Sequence, residues 1–176
     1  MDIKIRQEIE KDYKLSEIVV EKSFKNAKHT DHTEHFLVAK LRKSDAFIPE
    51  LSLVAEIDGQ IVGHIMLTKL NIENEENNYE SLGLAPVSVL PEYQNKGIGS
   101  KLIRDSLKIA KEKGFKSVIV LGHDKYYPRF GFRPASKWDI KAPFDVPDEA
   151  FMALELEIGS LADVSGTVVY SKEFFE

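Results

Sequence analysis

The sequence predicts a single α+β domain, and three observations support this class. The chain of 176 residues is long enough to bury one hydrophobic core. Strand-like and helix-like segments are mixed along it, without an internal repeat or a low-complexity linker. Apolar residues make up 43% and charged residues 30% of the chain, which is typical of a globular protein.

The first part of the chain predicts a strand followed by two helices. Ile3 and Ile5 alternate with charged residues, as in a short strand. Asp12 is predicted to be the N-cap of the first helix. That helix has apolar residues at helical spacing, namely Leu15, Ile18, Val19 and Phe24. The second helical segment contains Phe36, Leu37 and Leu41.

A β-hairpin is predicted next. Segments 51–57 and 60–70 are rich in β-branched residues and are joined by Asp58-Gly59, a strong signal for a type I′ turn. The polar segment 71–78 is predicted to end the second strand at another turn.

The remaining elements are a strand, a helix and further strands. Strand 82–90 contains Pro86, which marks an edge, a bulge or a point where the sheet opens. From Gly97 a helix fits, with apolar residues on one face and Gly114 as its C-terminal signal. The later strand candidates are 117–122, 132–135, 151–158 and 165–171.

Composition argues against several kinds of site and partner. The chain has no cysteine, which excludes disulfides, thiolate metal sites and a cysteine nucleophile. Its first residues are charged from the second position, and its apolar runs are shorter than the ~18 residues that cross a bilayer. We therefore expect a cytoplasmic protein without a membrane partner. A net charge of −5, with lysine and glutamate interspersed, argues against nucleic acid as the main partner.

A glycine-containing loop, PEYQNKGIGSK at 91–101, lies between a predicted strand and a predicted helix. A Walker A loop needs its lysine after the second glycine, and here Lys96 precedes Gly97. A dinucleotide fingerprint needs a third glycine where Leu102 stands. These two nucleotide-binding motifs are therefore excluded.

The same loop still suits a bound anion. A helix start here would present free backbone N–H groups, from Asn95 to Ser100, at the positive end of the helix dipole. Gly97 and Gly99 lack Cβ atoms, so a pyrophosphate could approach the main chain closely. The alternative is a helix start that binds nothing.

Two motifs give the chain a family resemblance. QNKGIG at 94–99, preceded by VLPEY, resembles the Q/R-x-x-G-x-G/A pyrophosphate loop of the GNAT N-acetyltransferase superfamily. YYPRFGF at 126–132 resembles that family's later Y-x-x-x-G-F segment, with Tyr127, Gly131 and Phe132 in register. One predicted helix and one strand separate the motifs, as in the family. The chain is most similar to the YhbS-like branch, over about residues 3–135 and in the remaining 138–176.

The resemblance implies a fold, a co-substrate and binding residues. The expected fold is a mixed, mostly antiparallel sheet flanked by helices, with splayed strands forming an acetyl-CoA cleft and extra C-terminal strands. Residues 1–137 would form the GNAT N-acetyltransferase domain, and 138–176 a C-terminal extension packed on it. Acetyl-CoA would be the co-substrate, and no metal is implied. The implied cofactor-binding residues are Val87, Ser88, Val89, Gln94, Asn95, Lys96, Gly97, Ile98, Gly99 and Ser100.

Tyr127 is the catalytic residue that the resemblance implies, as the general acid that protonates the coenzyme A sulfur. Tyr126 is expected in the core. The implied reaction is direct attack on acetyl-CoA, in a ternary complex, by a primary amine of a small molecule or a protein. The alternatives are a non-catalytic acyl-CoA-binding regulatory module and an RNA-directed acetyltransferase, which the acidic balance disfavours. An exposed C-terminal strand would allow a homodimer.

Two departures from the family pattern leave the general base unassigned. Val120 stands where many members carry an asparagine, and the strand SVIVLG offers no glutamate. His123, Asp124 and His64 are candidate proton acceptors, although each also fits a packed or solvated residue.

The segment HTDHTEH at 29–35 contains the metal-competent residues His29, Asp31, His32, Glu34 and His35. Its i, i+3, i+6 histidine spacing does not converge on one helix face and matches no defined zinc motif. We interpret it as a polar loop between helices that could contact the acceptor. The acidic run at 73–76 is predicted to be a solvated hairpin tip.

Overall fold

The computed structural model describes residues 1–27 and 30–176 and confirms the predicted α+β fold. The helices are α1 (Tyr13–Phe24), α2 (Glu34–Arg42) and α3 (Ile98–Glu112). The strands are β1 (Lys4–Gln7), β2 (Ser52–Ile57), β3 (Gln60–Glu73), β4 (Asn78–Leu84), β5 (Ser88–Val89), β6 (Ser117–Leu121), β7 (Arg133–Pro134), β8 (Ile140–Lys141), β9 (Phe151–Glu155) and β10 (Gly166–Val169).

The strands of the described residues form one ten-stranded mixed sheet centred on the long strand β3. The first half of β3 pairs with β2 on one side and β5 on the other. Its second half pairs with β4 and β10. The β4–β6 and β8–β10 pairs are parallel, whereas the other pairs are antiparallel. β3 is therefore the spine to which both halves of the sheet attach.

Side chains of β3 alternate between the two faces of the sheet, so both faces are apolar and both are covered by helices. A Cβ at Gly63 would lie 3.1 Å from Leu102 of α3, so this face is turned towards α3. Met66 lies on the other face and packs in a buried cluster with Val20 of α1 and Val38 of α2.

The hairpin between β2 and β3 confirms the prediction from Asp58-Gly59. Both residues have positive φ angles, 50° and 79°, as a type I′ turn requires. The turn predicted within 71–78 lies between β3 and β4, but β3 is longer than predicted and continues through Asn71 to Glu73. These last residues pair with β4 and with β10, so partners distant in sequence override their polar composition.

α1 begins at the predicted position, but only part of the expected apolar face, Val19 and Phe24, packs against the core. Leu15 and Ile18 are 53% and 38% exposed, whereas Ser16, Val19 and Val20 are buried. Asp12 precedes the helix without a side-chain capping bond, since its carboxylate is bound by the guanidinium of Arg6.

The predicted strand 82–90 is interrupted at Pro86. β4 and β6 pair in parallel at Leu82–Val118 and Gly83–Ile119, after which the chain leaves β6 and β5 continues along β3. Beyond this point β6 stays paired with β9. The sheet therefore splits between β5 and β6, which forms the splayed opening expected of the fold.

Residues 138–176 add strands to both halves of the sheet. β9 pairs with β6 over Ser117–Leu121, and β10 pairs with β3 over Asn71–Glu73. A Cβ at Gly166, where φ is 137°, would lie 2.2 Å from the carbonyl oxygen of Glu73, so only glycine allows this close pairing. In the described ranges, no helix has the length and apolarity needed to cross a membrane.

Candidate active site

A cleft of about 690 Å³ lies at the opening between β5 and β6. Its walls come from the end of α1, β5, the loop before α3, the first turn of α3 and the turn after β6. We call it the main cleft. It is lined by Ser23, Val87, Val89, Tyr93, Gln94, Asn95, Gly97, Ile98, Gly99, Ser100, His123, Tyr126 and Arg129.

The loop before α3 has left-handed backbone conformations at Asn95, with φ 64°, and at Gly97, with φ 84°. A Cβ at Gly97 would meet no protein atom within 4 Å, so backbone conformation and not packing calls for glycine there. Helical bonding to Gly97 begins with the N–H of Lys101. The preceding amides, from Ile98 to Ser100, are therefore available to an anion at the positive end of the helix.

The side chain of Gln94 fixes the turn between β5 and this loop. Its Nε2 donates a hydrogen bond of 3.0 Å to the carbonyl oxygen of Val89. Lys96 is exposed, with its Nζ 5.7 Å from the ring centroid of Tyr93, and it does not line the main cleft.

Val87 and Val89, on either side of Ser88, face the opening at β5. The amide N–H of Val89 points away from β3 and donates to the hydroxyl of Ser23, at 3.3 Å. Ser88 is instead paired with His64 of β3 and is 1% exposed. Val87 and Val89 line the main cleft, whereas the backbone of Ser88 belongs to the sheet. A ligand that bonds the Val89 N–H must displace the hydroxyl of Ser23.

Tyr126 lies at the main cleft and Tyr127 is buried, although Tyr126 was the one expected in the core. Tyr126 was predicted in the core, but it lines the main cleft and its hydroxyl lies 3.4 Å from the Oγ of Ser100. Tyr127 is 7% exposed, and its ring packs at 5.7 Å from that of Phe132. Successive residues of a 3₁₀ turn point about 120° apart, so one ring faces the cleft while the next faces the core.

Burial raises the pKa of the Tyr127 hydroxyl above its usual range, with a smaller contribution from Tyr126. The ring lies against Gly122 at the end of β6. A Cβ on Gly122 would come 2.3 Å from the Tyr127 Cε2, so the absence of a side chain there makes room for the ring. Tyr127 is consequently a buried phenol that does not line the main cleft.

The structure separates the candidate proton acceptors. His123 lines the main cleft and is exposed. His64 is fully buried, and its Nε2 lies 3.3 Å from the Oε2 of Glu8. Asp124 is exposed and does not line the cleft. His123 is thus the candidate that solvent and a bound ligand can both reach.

His64 belongs to a buried polar network centred on Glu8. Arg42 binds the Glu8 carboxylate through Nη2, at 2.7 Å, and through Nε, at 3.2 Å. The hydroxyl of Ser52 donates to the same carboxylate at 2.7 Å. Burial opposes ionisation, yet hydrogen bonds from His64 and Arg42 hold the pKa of Glu8 well below its usual range. The network ties the end of β1 to α2 and to the centre of the sheet.

The histidine-rich segment does not assemble a metal site in the part of the chain that is described. His35 Nε2 lies 3.3 Å from Glu21 Oε2, and Thr30 pairs with Glu34. His29 lies outside the described residues. Among residues 1–27 and 30–176, no three side chains of metal-ligating type form a cluster.

The chain belongs to the acetyltransferase (GNAT) family, whose family model matches residues 9–132. It is 30% identical to the uncharacterized N-acetyltransferase YhbS of Escherichia coli over 171 residues, 97% of either chain. It is 41% identical to the uncharacterized N-acetyltransferase YjhQ of Escherichia coli K12 over 114 residues, which are 64% of this chain and 63% of YjhQ. The predicted YhbS-like branch of the family is therefore confirmed.

Two solved structures share the complete fold. GNAT family N-acetyltransferase YhbS from Escherichia coli, in complex with CoA, superposes with a TM-score of 0.88 and 28% identity, covering 99% of this chain and 92% of that chain. A GNAT family acetyltransferase from Brucella melitensis, in complex with acetyl-CoA, has a TM-score of 0.80 and 34% identity, covering 98% of each.

Four residues of the main cleft were missed by sequence reasoning: Ser23, Tyr93, Tyr126 and Arg129. Arg129 was visible as the only basic residue of YYPRFGF, and its guanidinium stacks at 4.7 Å from the ring of Tyr126. Ser23 carried no signal, since it lies 64 residues before Val87 and only the fold brings α1 to β5.

Proposed function

We propose that this protein transfers the acetyl group of acetyl-CoA directly to a primary amine within a ternary complex. The observation that supports this most strongly is the main cleft. Its glycine loop offers free helix amides at one end, and the edge of β5 that does not pair with β3 forms the other. A pyrophosphate and an extended amide-containing arm require these two kinds of surface.

Acetyl-CoA would bind along this cleft in two parts. The amides from Ile98 to Ser100 would hold the pyrophosphate, with Arg129 adding positive charge at the rim. Val87 and Val89 would pair with the pantetheine arm. On displacing the Ser23 hydroxyl, the thioester carbonyl oxygen would accept a hydrogen bond from the Val89 N–H, which would stabilise its developing negative charge.

The reaction requires three proton movements. The nitrogen of the neutral amine attacks the carbonyl carbon, and the carbon–sulfur bond breaks with its electrons going to sulfur. Tyr127 is proposed to give its phenolic proton to that sulfur, because burial keeps the phenol protonated. The nitrogen then loses a proton to solvent as the amide forms, and solvent returns a proton to the Tyr127 phenolate. An alkylamine is mostly protonated at neutral pH, so a base must first accept its proton. His123 is proposed for this step, directly or through water.

A non-catalytic acyl-CoA-binding module is the second candidate function. None of the described residues that line the main cleft is a carboxylate, so the glutamate base used by some members of the family has no counterpart in these walls. This candidate predicts acetyl-CoA binding without turnover on any amine. A cytoplasmic location, a homodimer and the lack of a nucleic-acid partner stay predictions.

Calorimetry with acetyl-CoA, ATP and NAD tests the assignment of the cleft. We expect micromolar binding of acetyl-CoA alone, and its loss in Gly97→Val, because a side chain there strains the positive φ and blocks the loop. Gly114→Val is the matched control, since Gly114 follows the other end of α3 and also has a positive φ, 92°, with no atom within 4 Å of its Cβ position. Equal acetyl-CoA affinity in the two variants would refute the loop assignment.

A further inference from the structure

A second, smaller cleft lies where β4 and β6 diverge. Its volume is about 190 Å³, and we call it the aromatic cleft. Two strands and the C-terminal extension form its walls. It is lined by Leu84, Ile119, Leu121, Phe144, Tyr170, Phe174 and Phe175.

The aromatic rings of this cleft are ordered against one another but are not fully covered. Phe144 stacks on Tyr170 with ring centroids 6.1 Å apart, and Phe174 lies 5.2 Å from the same ring. Leu121, Phe144 and Phe175 nevertheless remain 47%, 40% and 65% exposed. Packing of the extension alone would bury such side chains, so a concave apolar surface left open is typical of a ligand site.

Residues close together in two chain segments line the aromatic cleft and the main cleft. On the β4 side, Leu84 lines the aromatic cleft and Val87 the main cleft. On the β6 side, Leu121 lines the aromatic cleft and His123 the main cleft. Three residues of extended chain span at most about 10 Å. A small molecule in the aromatic cleft can therefore place a reacting group at the opening where the thioester would lie.

The size and chemistry of the aromatic cleft point to the kind of group it receives. A cavity of ~150 Å³ lined by Leu, Ile and Phe holds a benzene molecule, so about 190 Å³ accommodates one ring or a branched aliphatic group. Its walls contain no charged side chain among the described residues, which disfavours a second charge on the ligand.

We propose that the aromatic cleft binds the apolar substituent of the acceptor. The preferred substrate is then a small primary amine carrying an aromatic or branched aliphatic group and no second charge. This inference rests on the proposed acetyl transfer, and it assigns to the C-terminal extension the selection of the acceptor.

The test compares amines of different substituents under saturating acetyl-CoA. Release of the coenzyme A thiol is measured with 2-phenylethylamine, isoamylamine, 2-methoxyethylamine and ethylamine, and rates are corrected for the neutral fraction of each amine. We expect kcat/KM to be about 100-fold higher for the first two, the effect of burying several methylene equivalents. Leu121→Trp, which fills the cleft, should reduce this preference to less than about 5-fold while the rate with ethylamine persists.

Two further variants separate this role from structural support. Phe144→Ala opens one wall and should lower kcat/KM for 2-phenylethylamine about 10-fold without changing acetyl-CoA affinity. Ile158→Ala is the control, since Ile158 is an apolar residue that is 99% exposed and lines neither cleft.

The outcomes distinguish the inference from the proposed function. Acetylation of all amines at similar rates, or a preference that Leu121→Trp leaves intact, would overturn the inference and leave acetyl transfer standing. Acetyl-CoA binding without acetylation of any amine would overturn both. Acetylation of the two apolar amines with the variant effects given above would support both.

Discussion

Tyr126 and Tyr127 show how neighbouring residues of one motif divide between cleft and core. The hydroxyl of Tyr126 reaches Ser100 at the start of α3, while the ring of Tyr127 packs against Phe132 and Gly122. A residue buried to this degree keeps its phenol in one position. That fixed position is what proton transfer to a sulfur atom requires.

Replacing Tyr127 with phenylalanine tests the proposed general acid. We expect kcat to fall about 100-fold, because the thiolate must then leave without a proton donor. Acetyl-CoA affinity should be nearly unchanged, since the substitution removes only the hydroxyl and keeps the ring that packs against Phe132. The comparison is Tyr126→Phe, which removes the hydroxyl near Ser100 and should alter acetyl-CoA affinity more than kcat. Steady-state kinetics measures kcat, and calorimetry measures acetyl-CoA affinity. Equal kcat in Tyr127→Phe and the parent would show that Tyr127 only packs in the core.

Gly122→Ala displaces the same ring without changing its chemistry. The new Cβ would lie 2.3 Å from the Tyr127 Cε2, so the ring or β6 must shift. We expect a lower free energy of unfolding, by about 1–3 kcal/mol, together with a lower kcat. Denaturant unfolding and kinetics measure the two effects. Gly59→Ala is the control, because no atom lies within 4 Å of its Cβ position and only backbone strain in the β2–β3 turn is added. Its kcat should be unchanged, and a fall in kcat would contradict this account.

At the scale of elements, the Glu8 network joins parts of the fold that are far apart along the chain. Arg42 at the end of α2 binds Glu8 after β1 and Glu17 of α1, and its guanidinium lies 4.1 Å from the ring centroid of Tyr13. Both partners of the Arg42–Glu8 pair are almost completely buried. Such a pair adds little beyond a packed apolar core, but losing one partner leaves a buried charge.

Arg42→Met therefore tests what holds α1 and α2 against the sheet. We expect the free energy of unfolding to fall by about 3–5 kcal/mol, because Glu8 loses its guanidinium in a dry site. Lys116→Met is the matched control, since Lys116 forms an exposed ion pair with Glu157 and its loss should leave stability nearly unchanged. Urea unfolding measures the free energy of unfolding of both variants. Similar losses in the two would show that the buried network stabilises the fold no more than an exposed ion pair does.

Much of the fold was predictable because its signals are local. Asp58-Gly59 specifies a turn by backbone angles alone, and Pro86 marks the interruption because proline cannot donate to a ladder. The loop around Gly97 was recognised for the same reason. The end of β3 at Glu73 and the pairing of Arg42 with Glu8 depend on residues far along the chain, which periodicity cannot reveal.

At the scale of the whole molecule, the pH dependence of stability follows from Glu8. Its pKa is lowered in the folded state, so it contributes stability that is present above its unfolded pKa of ~4.3 and is lost as pH falls below that value. We expect the free energy of unfolding to drop more steeply below pH ~4.3 in the parent than in Glu8→Gln. Chemical unfolding across this range measures the slopes, and parallel curves would contradict the assignment.

The pairing of β10 with β3 has a consequence for solubility. β2 reaches only the first half of β3, so β10 alone covers the remaining edge at Asn71–Glu73 on that side. An uncovered strand edge is a template for strands of other molecules. Truncating the chain before β10 would therefore expose this edge to strands from other copies of the protein. By covering the edge, β10 protects the protein from aggregation.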